Sequence, residues 1–306
     1  MNRYISTGKK ILRHLDKLKK FQECKIIEPI SLQIAPTSRC NLSCCFCSNV
    51  NRNKHEDLSI VDIKYFIAST FPLTVEWTGG GDPTQYEHIK EAILFANKLN
   101  LKQGFITNGI ALVDKINDHI KYLDWIRISL NSLDYVDNIL IPVNYKGILG
   151  FSYVINEKTT LETINKLKEY AVKYNPKYIR IVPNCQTSAE DLIEKNKVFS
   201  EEVNKWGHPF FYQEKIFSIP NRCWWGYFKP FLLHDGYIYP CSSVVLNDTA
   251  ERSFHEKFRW KSMDKFIEDS KKVAIPYDCK ECNNCVFGEQ NNLVESVINP
   301  EMENFV

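Results

Sequence analysis

The chain has 306 residues, of which 44% are hydrophobic and 25% are charged, and its formal net charge is +2. This length and hydrophobic content exclude a disordered chain and suffice for one large core, or for a large core and a small one. The near-zero charge excludes a general electrostatic affinity for nucleic acid or for anionic membranes.

The first 25 residues form a locally basic segment. They carry eight Lys and Arg residues against two acidic ones, Asp16 and Glu23. Four apolar residues follow a helical spacing, namely Ile11, Leu12, Leu15 and Leu18. We therefore predict that residues 1–29 are an N-terminal basic helical segment whose apolar face packs on the main domain, with a nucleic-acid-binding arm as the alternative.

The absence of a long apolar stretch bears on location and on the cysteines. Nothing approaches the roughly 20 apolar residues that span a bilayer, and the charged start lacks the apolar run of a signal peptide. We expect a cytoplasmic protein with neither membrane nor nucleic acid as a partner. Eleven cysteines, an odd number, favour metal ligation over disulfides in a reducing compartment.

Short apolar runs alternate with helical periodicity between residues 30 and 208. The predicted strands are residues 31–37, 73–79, 102–109, 125–131, 147–156 and 177–185. Helices are predicted between several of them, as in residues 84–100 and 159–175. This alternation predicts an α/β fold, a partial (β/α)6 TIM-like barrel, whose chemistry lies at the C-terminal ends of the strands.

After residue 208 the alternation stops, and residues 209–306 are predicted to form a small cysteine-rich module. Two apolar runs flank Asp235-Gly236, a strong signal for a hairpin turn. The module contains five cysteines, Cys223, Cys241, Cys279, Cys282 and Cys285. Because a segment this short has little core, a metal centre would explain how it is stabilised.

The first cysteine cluster consists of Cys40, Cys44 and Cys47, with the spacing C-x3-C-x2-C. Three thiolates from one loop suit an iron–sulfur cube better than structural zinc, which usually takes four protein ligands in pairs. Such a cube leaves one iron open to a small chelating molecule. The alternative is a zinc knuckle or a chance group of buried thiols.

This spacing, with Phe46 directly before the last cysteine, resembles the radical S-adenosylmethionine (radical SAM) superfamily. The resemblance implies a [4Fe-4S] cluster held by Cys40, Cys44 and Cys47. It also implies that the amino and carboxylate groups of S-adenosylmethionine bind the open iron. Cys45 falls outside the spacing and is expected to be a spectator.

Further motifs follow later strands in the order that this family has. Gly80, Gly81 and Asp82, before Pro83, resemble its Gly-Gly-Glu-Pro element, in which glycines let the backbone approach the methionine. The acidic side chain accepts from the methionine ammonium group, and Asp here replaces Glu, which shortens the reach. The resemblance implies further cofactor contacts by Thr107, Asn108, Ser129 and Asn131, and by Arg180 to the methionine carboxylate.

The later cysteines resemble the auxiliary-cluster extension called SPASM, or its truncated twitch form, which holds extra cubes by cysteine alone. Five cysteines supply one auxiliary [4Fe-4S] cluster and one spare thiol. The expected ligands are Cys223, Cys241, Cys282 and Cys285, with Cys279 as the spare. A zinc ribbon is the alternative.

The resemblance implies an enzyme that cleaves S-adenosylmethionine reductively to a 5′-deoxyadenosyl radical, which abstracts hydrogen from an unactivated C–H centre. The outcomes left open are oxidation, epimerisation and crosslinking of a small-molecule or peptide substrate, and a flavodoxin- or ferredoxin-type protein is the expected reductant. A different class is a non-catalytic iron–sulfur electron carrier or a zinc-stabilised binding module.

Cys185 follows the sixth predicted strand, where a barrel directs side chains into its active site. If the reaction inverts a stereocentre, this thiol is the best-placed hydrogen donor, and it is the candidate catalytic residue. The alternative is that Cys185 fills an apolar gap in the core.

Overall fold

A nine-stranded sheet organises the fold. The computed structural model describes residues 8–50, 53–245, 256–272, 277–279, 282 and 285–299. Its strands are β1 (Ser31–Ile34), β2 (Thr74–Trp77), β3 (Lys102–Thr107), β4 (Trp125–Ser129), β5 (Ile148–Ile155), β6 (Tyr178–Pro183), β7 (Phe210–Tyr212), β8 (Arg222–Cys223), β9 (Phe231–Leu232), β10 (Ile238–Tyr239) and β11 (Tyr277–Asp278).

The large sheet has the strand order β10-β9-β1-β2-β3-β4-β5-β6-β7. Strands β1 to β7 pair in parallel, each with the next, and β9 is parallel to β1. β10 is antiparallel to β9, and β8 pairs with β11 apart from the large sheet. Because β1 to β7 are parallel neighbours, the loops that follow them meet at one edge of the sheet.

Helices connect most of these strands. They are α1 (Leu15–Cys24), α2 (Ile60–Thr70), α3 (Ile89–Lys98), α4 (Leu112–Ile116), α5 (Leu161–Tyr174), α6 (Ala189–Asn204), α7 (Trp225–Phe228), α8 (Met263–Lys271) and α9 (Gly288–Ile298). At α2, α5, α6 and α8 a Ser or Thr side chain accepts from a first-turn N–H that the helix cannot satisfy itself. In the described ranges, no helix has the length and apolar content to cross a membrane.

Burial alternates along β1, β2 and β4, which places one set of their residues on the core and the other on an interior cavity. Leu32 and Ile34 of β1 are buried in the apolar core, whereas Ser31 and Gln33 line an interior cavity. Parallel strands that are buried on both faces usually read as continuous apolar runs. The alternation therefore marks a sheet with one face on the core and one on a cavity.

The structure confirms the α/β class and all six predicted strands, which correspond to β1 to β6. Sequence analysis missed β7, because three residues are too few to show a period of two. The hairpin turn at Asp235-Gly236 is present between β9 and β10, and Gly236 has a φ of +83°. Since β9 pairs with β1, this hairpin extends the barrel sheet rather than standing apart from it.

The N-terminal segment contains a 3₁₀ helix, Gly8–Arg13, followed by α1. Its apolar face differs from the predicted one, since Leu12 and Leu15 are exposed while Ile11 and Leu18 are buried. Phe21 completes the buried face and packs edge-on against Trp224 and Phe228, with ring centroids 5.1 and 6.0 Å away. The segment thus packs on the region that carries the later cysteines.

Candidate active site

The interior cavity has a volume of about 2140 Å³ and is lined by the inner face of the sheet and the loops after its strands. Ligand pockets commonly measure about 300–1,000 Å³, so this cavity has room for a cofactor and a substrate together. Twelve of the predicted site residues line it: Cys40, Cys44, Phe46, Cys47, Gly80, Gly81, Asp82, Thr107, Asn108, Ser129, Arg180 and Cys185.

The cysteine loop, residues 40–47, follows β1 and turns three thiols toward this cavity. The Cys47 backbone N–H donates to the Cys44 carbonyl at 3.1 Å, which tightens the loop. The Cys40 sulfur accepts from the Leu42 N–H at 3.5 Å and from the Asn108 amide at 3.7 Å. Hydrogen bonds of this kind to a ligating sulfur help to set the potential of an iron–sulfur cluster.

Cys45 is directed differently from its neighbours. It does not line the interior cavity, and its thiol lies 3.7 Å from the Asn156 side-chain oxygen. Its backbone N–H donates to the Tyr135 hydroxyl at 3.0 Å. The loop therefore separates Cys45 from the other three thiols, in line with the expected spectator role.

The three cavity-facing thiols are close enough to influence one another. Burial, and then the neighbouring Cys47 and Cys40, raise the pKa of the Cys44 thiol to about 12. Coordination to a metal has the opposite effect and deprotonates a thiol. Three thiols on one loop that border the same cavity are thus a donor set that fits a three-cysteine cube.

The glycine loop after β2 packs against the chain that leads into the cysteine loop. A Cβ on Gly81 would lie 1.9 Å from the Arg39 carbonyl oxygen, and one on Gly80 would lie 2.3 Å from Cδ2 of His234. The Gly81 N–H donates to the Thr37 carbonyl at 2.8 Å. The glycines are therefore required by contacts within the protein, in addition to the methionine approach that the sequence suggested.

His234 was not found by sequence analysis. It is 7% exposed, and its Nδ1 lies 3.0 Å from a Glu56 carboxylate oxygen. The two residues are far apart in sequence, so no local pattern signals the pair. It connects the β9–β10 hairpin to the segment between the cysteine loop and α2.

Asp82 is buried and receives four hydrogen bonds from the protein. Its carboxylate accepts from the Thr84 N–H and hydroxyl at 3.0 and 2.6 Å, from the Thr107 hydroxyl at 2.9 Å and from the Asn108 N–H at 2.7 Å. Burial raises the pKa of this carboxyl group, and the four donors oppose that rise. Asp82 lines the interior cavity and also fixes Thr107 and Asn108 in position. The contact with the methionine ammonium stays a prediction.

Ser129, the last residue of β4, and Asn131, two positions later, are placed differently. Ser129 lines the interior cavity, whereas Asn131 does not. The Asn131 side chain donates to the Val154 carbonyl at 2.9 Å and accepts from the Val154 N–H at 2.7 Å. Asn131 therefore joins the ends of β4 and β5. It supports the cavity wall through Val154 and does not border the cavity itself.

Five later cysteines line a second, much smaller cavity of about 20 Å³, here called the thiol cavity. They are Cys223, Cys241, Cys279, Cys282 and Cys285. Trp225 and Phe287 also line it, and their rings stack at 5.8 Å. A hydrogen bond with Cys223, and then burial, raise the pKa of the Cys279 thiol.

The thiol cavity contains the donor set expected for an auxiliary cluster. Across the described ranges, no three His, Cys, Asp or Glu side chains converge as they would around a single metal ion. A four-iron cube distributes its thiolates over four separate irons, so its ligands need not converge on one point. All five cysteines, the expected spare Cys279 included, border the same space.

Two basic residues of the interior cavity were also missed, Arg127 and Lys215. Arg127 carried a usable signal, because it lies two positions before Ser129 and a strand directs such residues to one face. Lys215 carried none, since it follows the short β7 that the sequence pattern does not reveal.

A family model described as the radical SAM superfamily matches residues 34–194. This range begins at the end of β1 and includes the cysteine loop, the glycine loop and every strand from β2 to β6. The match therefore covers the wall of the interior cavity on which the predicted site residues lie.

Curated relatives match about half of the chain. An "S-adenosylmethionine-dependent nucleotide dehydratase" of Lacinutrix mariniflava is 28% identical over 195 residues, which are 53% of this chain and 40% of the relative. A "Probable GTP 3′,8-cyclase" of Methanococcus maripaludis is 28% identical over 139 residues, 43% of this chain and 44% of the relative. The chain thus spans about half the length of the curated relatives it matches.

Solved structures resemble the fold over most of the chain. Streptococcus suis SuiB bound to S-adenosylmethionine gives a TM-score of 0.57 at 16% identity, covering 96% of this chain and 81% of SuiB. SuiB bound to its precursor peptide SuiA gives 0.57 at 15% identity, covering 90% and 72%. At such identities the likeness concerns the fold.

Proposed function

This chain belongs to the radical SAM superfamily, and from that premise we propose that it is an enzyme that cleaves S-adenosylmethionine reductively at the cysteine loop. The observation that carries the proposal is the common cavity. Cys40, Cys44 and Cys47 border the same large space as the glycine loop and the ends of β3 and β4. An electron carrier has no use for a substrate-sized cavity beside its ligands, which counts against the non-catalytic alternative.

In this proposal the three cysteines hold a [4Fe-4S] cluster, and Phe46 and the glycine loop form the walls around the methionine. The cluster, when bound, supplies the electron that breaks a carbon–sulfur bond of S-adenosylmethionine and so yields a 5′-deoxyadenosyl radical for hydrogen abstraction. Asp82 positions Thr107 and Asn108 toward the nucleoside, because it already binds both residues. Ser129 faces the same cavity from β4.

We assign the substrate to small molecules or peptides. The relatives named above act, by their names, on nucleotides, and SuiB has been solved with a precursor peptide. The cavity volume of about 2140 Å³ leaves space for either class beside the cofactor. The reaction class is oxidation, epimerisation or crosslinking at an unactivated C–H centre.

Cys185 is the proposed hydrogen donor if the reaction is an epimerisation. It lines the interior cavity after β6, and its thiol lies 3.7 Å from the Pro183 carbonyl oxygen. Burial raises the pKa of this thiol, which keeps the S–H bond that a donor needs. In deuterated water the wild type should incorporate deuterium at the reacting carbon, and Cys185→Ala should lose the inverted product while still forming 5′-deoxyadenosine.

The thiol cavity is proposed to hold one auxiliary [4Fe-4S] cluster on Cys223, Cys241, Cys282 and Cys285. Cys279 is the spare thiol and is not a ligand. This cluster would accept or relay an electron, and a flavodoxin- or ferredoxin-type protein would reduce the enzyme. The cysteines there border an enclosed space beside Trp225 and Phe287, which favours electron transfer over substrate binding.

The test is anaerobic incubation of the reconstituted protein with S-adenosylmethionine and dithionite, followed by chromatography for 5′-deoxyadenosine. The proposal expects this product from the wild type and from the matched control Cys45→Ala, whose thiol does not face the cavity. If the wild type forms none with a full iron load, the proposal is wrong.

A further inference from the structure

Three basic side chains form one wall of the interior cavity. Arg127 is in β4, Arg180 is in β6, and Lys215 comes three residues after β7. The strands bring them together, because β4, β5, β6 and β7 are consecutive neighbours in the sheet. Ser152 of β5 pairs with both Ser129 and Arg180, so Arg180 lies level with the serine that ends β4.

These cations have few partners of their own. The Nε atoms of Arg127 and Arg180 are buried and lack a hydrogen-bond partner within the described part of the chain. Arg180 donates through Nη1 to the neutral Gln213 side chain at 3.2 Å. Arg127 lies over the Trp125 ring, 5.5 Å from its centroid. No described carboxylate forms an ion pair with Arg127, Arg180 or Lys215.

Glu76, Glu214 and Glu289 are carboxylates that line the interior cavity, and the charge of Glu76 acts on Arg127 and Arg180 without forming an ion pair with them. Glu76 has closer partners elsewhere. Glu76 accepts from the Lys229 ammonium at 2.9 Å and from the Gln33 amide at 3.0 Å. The negative charge of Glu76 therefore mainly compensates the positive charge of Lys229, and Lys10 also lies near this pair. The interior wall is left with an excess of positive charge around Arg127, Arg180 and Lys215.

Such an arrangement is unfavourable without a counter-ion. Burial, and then neighbouring Arg127, lower the pKa of Arg180 to about 9, and burial, and then Arg180, lower the pKa of Lys215 to about 8. Buried charges are normally paired, because desolvation is not otherwise compensated. An anion between these side chains would supply the missing charge and accept from the unpartnered Nε groups.

We propose that Arg127, Arg180 and Lys215 form a subsite for an oxyanion, a carboxylate or phosphate group carried by the substrate. The inference rests on the proposed function and specifies its substrate class. It assigns Arg180 to the substrate instead of the methionine carboxylate. That carboxylate has to reach the iron held by the cysteine loop after β1, whereas β6 and β7 lie at the opposite end of the sheet order.

The subsite also gives Cys185 a reacting partner. Lys215 and Arg180 are the two charged groups that act on the Cys185 thiol. A substrate anchored by its anionic group on these cations therefore has its neighbouring carbons beside the Cys185 sulfur. The anion and the thiol then define two fixed points for the substrate in the interior cavity.

The test uses the full-length reconstituted protein and two probes, inorganic sulfate for a phosphate group and acetate for a carboxylate. Titration calorimetry at low ionic strength should detect binding of at least one probe to the wild type. Arg180→Gln and Lys215→Gln should each bind it about tenfold more weakly, the scale of one lost charge-assisted hydrogen bond. Lys205→Gln, an exposed cation outside the cavity, should bind as the wild type does.

Saturating S-adenosylmethionine separates the two sources of an anion. If the subsite belongs to the substrate, the probe binds with the same affinity in its presence. The proposal is overturned if S-adenosylmethionine abolishes probe binding, since the site would then be that of the methionine carboxylate. It is equally overturned if neither probe binds the wild type, or if both glutamine variants bind as tightly as Lys205→Gln.

The outcome does not depend on turnover. Probe binding without 5′-deoxyadenosine formation would refute the proposed function and leave the anion subsite in place. Formation of 5′-deoxyadenosine without probe binding would do the reverse. Arg127→Gln is the second variant for the subsite. It removes a half-buried charge that forms no ion pair with a described carboxylate, so the variant should fold.

Discussion

The cysteine loop and the thiol cavity offer the same donor atom in opposite surroundings. The loop thiols border a space of about 2140 Å³, whereas the five later cysteines border a space of about 20 Å³ beside aromatic rings. Cys241, Cys279 and Cys285 are buried, whereas Cys223 and Cys282 are partly exposed, as are the three loop thiols. A cysteine spacing therefore suggests a cluster, but the space around the cysteines decides whether a substrate could reach it.

The largest effect should come from the loop itself. Cys40→Ala, Cys44→Ala or Cys47→Ala should each abolish 5′-deoxyadenosine formation, because an open-site cube does not survive the loss of one of three ligands. Cys45→Ala is the matched control and should stay active. Full activity in any of the first three variants would show that the cysteine loop does not hold the cluster at which S-adenosylmethionine is cleaved.

Removal of Cys223 and Cys241 together should change iron content more than the primary reaction. The reconstituted wild type should carry about 8 Fe per chain, from two four-iron cubes, and the double variant about 4. Iron analysis and zinc analysis of anaerobically prepared protein give the answer. Stoichiometric zinc in the wild type would support a ribbon and contradict the auxiliary cluster.

A single variant, Cys279→Ala, sharpens the ligand assignment in the thiol cavity. As the spare thiol, Cys279 should be dispensable for the auxiliary cluster, so the iron content should stay at about 8 Fe per chain. A drop toward about 4 Fe would make Cys279 a ligand and free one of the other four.

Gly80→Ala tests whether the β9–β10 hairpin supports the glycine loop at the interior cavity. The added Cβ would meet the His234 ring at 2.3 Å, and overpacking of this kind typically costs about 1–3 kcal/mol in the free energy of unfolding. Denaturant titration measures the loss, and the double variant Gly80→Ala, His234→Ala should recover part of it. Equal stabilities of the single and double variants would mean that the hairpin does not support the glycine loop.

The smallest predicted effect is a pH dependence at the anion subsite. Lys215 has a lowered pKa of about 8, and a bound anion favours its protonated form. Sulfate affinity should therefore fall as pH rises above about 8 and be flat below it. Because the pKa of Arg180 is lowered to about 9, Lys215→Arg should still lose some sulfate affinity between about pH 7 and about pH 9, but less than the wild type loses. A fall in that variant as large as in the wild type would exclude Lys215 as its cause.

Much of the barrel could be predicted because its strands are long enough to show a pattern. β1 to β6 each have at least four residues; β1 and β2 alternate between polar and apolar residues, and β3, β5 and β6 contain apolar runs. β7 has three residues, and β9 and β10 have two each, so tertiary pairing rather than local pattern forms them. The place of the hairpin in the barrel sheet follows from a contact with β1 some 200 positions away in the sequence, which periodicity cannot reveal.

The candidate site was predictable where residue type alone limits the chemistry. The spacing of the loop cysteines and the glycines after β2 could be recognised from residue type alone. The roles of Asp82 and Asn131 were not predictable, because the sequence gives no indication that Thr107 and Val154 supply their partners. Sequence analysis did not identify Arg127 and Lys215 for a related reason. The lack of a charged partner can be seen only when the cavity is assembled.

The most direct test asks whether S-adenosylmethionine binds at the cysteine loop or at the thiol cavity. It is electron paramagnetic resonance of the dithionite-reduced Cys223→Ala, Cys241→Ala variant, recorded before and after S-adenosylmethionine is added. With one cube left on the cysteine loop, its signal should shift on addition, as the wild-type loop signal does. An unchanged signal in the variant, with a shift retained in the wild type, would place S-adenosylmethionine at the thiol cavity and contradict the account.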